Sequence, residues 1–108
     1  MNRLFALIFL FAALCNPAGA GELEEMTAKA EQGDLIDQYD LGMAYFFGSD
    51  VPQDYKQAYI WLSIAVTNGY EDAAAKRDKA ALELTPEALA EAQAEAAALD
   101  KKINELNK

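Results

Sequence analysis

The sequence predicts an all-α fold: antiparallel helical hairpins stacked as a short α/α solenoid and closed by a long C-terminal helix. Three observations carry this. Residues 34–47 and 54–67 each place apolar side chains at helical spacing, with a Gly/Pro loop between them. Gly33 and Gly69 recur in the same phase, each after a polar residue (Gln32, Asn68) and before a new helical pattern. Residues 87–106 are good helix formers throughout, and no strand-like alternation of any length occurs.

The first hairpin helix is expected from Asp34 to Phe47, with Leu35, Leu41, Gly42 and Tyr45 on one side and Gly48 as a left-handed terminus. Gly42 in its middle costs about 1 kcal/mol relative to Ala, which close approach of a second helix would offset. The second helix supplies matching small residues: Ala58 and Ala65 lie two turns apart, with Trp61 and Leu62 between them. Ala58 is the expected neighbour of Gly42. Asp54 is its N-cap, with Gln57 three residues on and Pro52 just outside, and Asn68-Gly69 ends it.

These residues resemble a Sel-one-like repeat, a branch of the tetratricopeptide superfamily. The matching positions are Gln38, Tyr39, Leu41, Gly42, Tyr45, Gly48, Val51, Asp54, Ala58, Trp61, Ala65, Gly69 and Ala73. Asp37 and Val66 stand where the family usually has Ala, and Asp50 where it usually has Gly. The resemblance implies one complete repeat over 33–69, flanked by partial ones. Repeat arrays usually need about three units, so the terminal helices have to complete the core.

Residues 1–20 have the layout of a secretory signal peptide. Arg3 precedes an apolar run from Leu4 to Leu14, and Pro17-Ala18-Gly19-Ala20 offers an Ala-x-Ala cleavage site before Gly21. The run is short of the roughly 20 residues that span a bilayer. Cys15, the single cysteine, is either discarded with this leader or acylated as in a lipoprotein, although Leu14 stands before it where such signals carry a small residue. The expected mature chain, 21–108, is periplasmic or secreted.

Composition narrows the chemistry. Losing Arg3 leaves 8 Lys+Arg against 18 Asp+Glu, an acidic surface that repels nucleic acid and anionic lipid. The chain has no histidine, and the expected mature part has no cysteine, so the usual general base, thiol nucleophile and soft metal ligands are missing. Ser49 and Ser63 have no base to activate them. Asp34, Asp37 and Asp40 rise around helix A while Asp50 and Asp54 bracket its loop, a spread unlike the compact oxygen cage of a calcium site. No phosphate-binding glycine loop occurs. No catalytic residue, cofactor or metal ligand is assigned.

The flanks read as helices too. Residues 22–31 give a short helix with Leu23, Met26 and Ala30 as its apolar edge, placed to cap the open side of helix A. Residues 70–84 form the helix of a second, partial repeat. Thr85 as N-cap and Pro86 at the first helical position open a capping helix over 85–107, about 33 Å long, with Leu84 placed to staple against Leu89. Leu89, Ala92, Ala96, Leu99, Ile103 and Leu106 form a seam at intervals of three and four. The seam either closes the solenoid by lying on residues 70–84, or joins two copies as a homodimer through an overhang around Ile103 and Leu106.

In the superhelix that the resemblance implies, helix A lines the concave side with Ile36, Tyr39, Met43, Phe46 and Phe47. So apolar a set is either a groove for a protein or peptide partner, or core covered by the first helix, the last helix or both. The leading expectation is a non-catalytic protein-interaction or scaffold module; the alternative is a self-associating protein. Neither reading involves nucleic acid, nor a membrane once the leader is removed.

Overall fold

The computed structural model describes residues 18–108, so most of the expected leader, with Cys15, lies outside the described residues. Five helices and no strand are present among them: α1 (Ala18–Glu31), α2 (Leu35–Phe47), α3 (Tyr55–Thr67), α4 (Ala73–Leu82) and α5 (Pro86–Leu106).

Local chemistry sets most of these boundaries. Asp34 accepts from the Asp37 amide at 3.1 Å, Asp54 from Gln57 at 3.0 Å and Thr85 from Ala88 at 3.1 Å, each satisfying an amide that the helix start leaves free. At the end of α2, Gly48 adopts φ 71°, and its amide returns to the Ala44 carbonyl. The following loop is pinned by the Asp54 amide on the Tyr45 carbonyl at 2.9 Å and by Gln53 Nε2 on the Phe46 carbonyl at 2.8 Å. Asp50 adopts φ 62°, the left-handed region that the family's usual Gly would enter without strain.

Helix α3 is the hub, packed by α2, α4 and α5. Ala58, Ile60, Trp61, Leu62, Ile64 and Ala65 are all buried, so the helix is apolar nearly all round. Two clusters form about it. Ile60, Trp61 and Ile64 meet Ala30 of α1, Leu41 of α2, and Ala92, Ala96 and Ile103 of α5. Ala58, Leu62 and Ala65 meet Ala73 and Ala80 of α4, with Tyr39, Met43 and Phe46 of α2 against them. Trp61 and Leu62 thus belong to different clusters rather than to one shared face.

Gly42 makes the close approach expected of it, but to a different residue. A Cβ at Gly42 would lie 2.8 Å from Leu62 Cγ and 3.2 Å from the Leu62 backbone nitrogen, so the helices cross at Leu62, not at Ala58. Ala58 and Leu62 lie one turn apart on α3 and belong to the same buried cluster.

The flanking helices depart further from expectation. Helix α1 packs on α2 as expected but starts at Ala18, ahead of the expected cleavage site, and its inward residues begin at Leu23. Helix α4 starts at Ala73 rather than Tyr70, because residues 70–72 form a turn in which the Tyr70 amide reaches the Ala65 carbonyl at 2.8 Å. Helix α5 lies along α3 and not along residues 70–84. Its far end does not overhang: Ile103 is buried, and Asn107 Nδ2 donates to the Glu31 carbonyl at 3.2 Å, tying the C-terminus to the α1–α2 turn. Of the seam residues expected at an overhang, only Leu106 is exposed.

Candidate protein-interaction site

The five residues expected to line a groove do lie along one side of α2, with unequal access to water. Ile36 and Phe47 are 55% and 57% exposed, whereas Tyr39, Met43 and Phe46 are half-buried against the Ala58–Leu62–Ala65 cluster. Neither α1 nor α5 covers the strip. Its edge is built by the start of α4 and by the residues before it. Tyr70 stacks on Tyr39 with ring centroids 4.8 Å apart, and Lys76 places its ammonium 5.1 Å from the Phe46 ring and 5.0 Å from the Phe47 ring.

The aromatic cluster continues into the next helix. Phe46 meets Phe47 edge-on at 5.0 Å and Tyr55 edge-on at 5.5 Å, and the Tyr55 hydroxyl accepts from Gln53 Nε2 at 3.1 Å. A half-buried aromatic floor is thereby held rigid under an exposed rim of Ile36 and Phe47, with one ammonium above it. Such a surface suits an apolar segment carrying a carboxylate, because Lys76 supplies a positive charge beside the rings. At the other end of α2, partial burial and the neighbouring Asp34 carboxylate raise the Asp37 pKa above its ordinary value.

The repeat-defining residues hold this strip in place. Leu41, Ala58, Trp61 and Ala65 are buried, Gly42 lies at the helix crossing, Tyr45 packs between the two clusters, and Gly48, Asp54 and Gly69 end or begin helices. Among the described residues, no three His, Cys, Asp or Glu side chains gather, and no helix is long and apolar enough to cross a membrane.

A second concavity escaped the sequence reading. Helices α3, α4 and α5 enclose a cleft of about 380 Å³, whose lining includes Tyr59, Ser63, Arg77, Gln93 and Asp100. These residues come from three helices at unrelated spacings, so no motif marks them. The one available signal was Ser63, a small hydroxyl side chain in the middle of α3.

The Sel1 repeat family model matches residues 36–70, which comprise α2, the loop, α3 and the turn after it. The chain therefore contains a Sel1 repeat, in the hairpin where the helix caps and the Gly42 crossing place it. No curated protein and no solved structure gives a match.

Proposed function

We propose that this protein is an exported, non-catalytic interaction module that docks a protein or peptide segment on the α2 strip. One observation carries the reading: the strip keeps two large apolar side chains, Ile36 and Phe47, at the surface over a packed aromatic floor. Scattered exposed hydrophobes are ordinary, but a contiguous strip beside a positioned cation fits a docking surface. The Sel1 repeat supports a protein-interaction role in general. The absence of histidine supports a non-catalytic one. Export rests on the layout of residues 1–20; Leu23, Met26 and Ala30, which α1 turns to the core, all lie beyond the expected cut, so cleavage there spares the packing.

The test pairs capture with stability. Partners retained by the immobilised protein are identified by mass spectrometry, then assayed against Ile36→Ser and Phe47→Ser. Loss of the partner with an unchanged melting temperature supports the strip as the docking surface. Undiminished binding by both variants refutes it, and a large fall in melting temperature assigns the two residues to the core instead.

A further inference from the structure

The cleft between α4 and α5 carries a chemistry that the α2 strip does not. Its floor is α3, with Tyr59, Ser63, Ile64 and Thr67; one wall is Arg77 of α4, and the other is α5, with Gln93, Ala96, Ala97 and Asp100. Two opposite charges line it from different helices without pairing. Among the described residues Arg77 pairs with its neighbour Asp78, at 3.1 Å, and Asp100 accepts from Asn68 Nδ2 at 2.8 Å. Asp78 is largely exposed, so its hold on Arg77 is weak and open to replacement by another carboxylate.

The floor adds a loosely held hydroxyl. The Tyr59 hydroxyl has only a long contact, 3.4 Å from Gln93 Nε2. Such a group in a concave, partly apolar site can turn to a small polar ligand.

Charge selects the ligand. A purely anionic molecule would meet Asp100 and the chain's formal net charge of -9, while a purely cationic one would meet Arg77. A zwitterion faces neither penalty. Arg77 and Asp100 do not form an ion pair with each other, so a ligand carrying both charges can lie between them, and a volume of about 380 Å³ admits one of dipeptide size. Ile64, Ala96 and Ala97 supply apolar wall for small side chains. We propose that this cleft binds a short zwitterionic peptide of dipeptide size, carboxylate toward Arg77 and ammonium toward Asp100.

The test is an NMR titration of the full chain with L-alanyl-L-alanine, its N-acetyl derivative and its C-terminal amide. The expected result is saturable shifts of amides lining the cleft with the dipeptide, and binding at least about tenfold weaker for each blocked probe. Arg77→Gln and Asp100→Asn should each weaken dipeptide binding by about the same factor, Ala97→Trp should abolish it by filling the cleft, and Lys79→Gln should leave it unchanged. Absence of saturable shifts, shifts confined to other surfaces, or equal binding of the blocked probes overturns the proposal. The probe series needs no substitution, so a variant that fails to fold does not obscure the answer.

Discussion

Gly42 and Leu62 meet where α2 crosses α3, at a separation that leaves no room for a methyl group: an added Cβ would fall 2.8 Å from Leu62 Cγ, 2.9 Å from its Cδ2 and 3.2 Å from its backbone nitrogen. The side chain could rotate away from such a methyl, but the backbone nitrogen could not. The loss of about 1 kcal/mol in helix propensity at Gly42 is thereby exchanged for direct backbone-to-backbone packing. That packing seats Tyr39, Met43 and Phe46 against α3 and leaves Ile36 and Phe47 outward.

The loop after α2 holds a small reserve of strain. Asp50 sits at φ 62°, where a residue with a Cβ is disfavoured and Gly is not. Asp50→Gly should raise unfolding free energy by up to about 1 kcal/mol, the gain being reduced by the greater freedom of Gly in the unfolded chain. Denaturant titration checks this, and a loss of stability would show that the Asp50 side chain holds the loop in a way its backbone angles do not reveal.

The two ends of the α5 seam should respond differently. Ile103 is 2% exposed and Leu106 is 70% exposed. Ile103→Ala should cost about 2–5 kcal/mol, and Leu106→Ala within about 0.5 kcal/mol of nothing. Equal, small effects in chemical unfolding would mean that the end of α5 stands free of α1 in solution.

Helices α3 and α5 are also joined by charge. Lys56 Nζ lies 3.0 Å from Glu91 and 3.3 Å from Glu95. The hydrogen bond it donates to Glu91, then that to Glu95, raises its pKa above the ordinary lysine value of 10.5. Because the folded pKa is the higher one, the pairing stabilises fully below pH 10.5 and is lost as pH rises through the folded value. Lys56→Met should therefore lower the melting temperature at neutral pH, less so at high salt, and the difference from the parent should vanish in strong base. A difference that persists in strong base would assign the effect to packing of the lysine stem.

The helix starts were readable because their signals are local. Asp54 and Thr85 cap through amides three residues away, evident from side-chain type and spacing alone, and Asp34, expected as the first helical residue, caps its helix in the same way. What lay against what was harder to read. The alternating Ala and Leu of α5 define a face without naming its acceptor, so the expected docking on residues 70–84 gave way to docking on α3 in the structure. One helical turn separates Ala58 from Leu62, and small size alone favoured the wrong one as the neighbour of Gly42. Tyr70 looked helical by pattern, but its amide bonds back to Ala65 and its ring stacks on Tyr39, which holds it in the turn. Ile36, Tyr39, Met43, Phe46 and Phe47 lie on one side of α2, and their division into floor and rim depended on Tyr70 and Lys76, which lie outside the α2 pattern.

The docking strip and both core clusters depend on the tightness of the α2–α3 crossing, and Gly42→Ala measures it. In an exposed helix this change would stabilise by about 1 kcal/mol. Here the unfolding free energy from urea titration should instead fall by about 1–3 kcal/mol, the cost of overpacking a filled contact. A gain in stability, with the repeat still folded, would show that the helices have room to spare and would contradict the packing described.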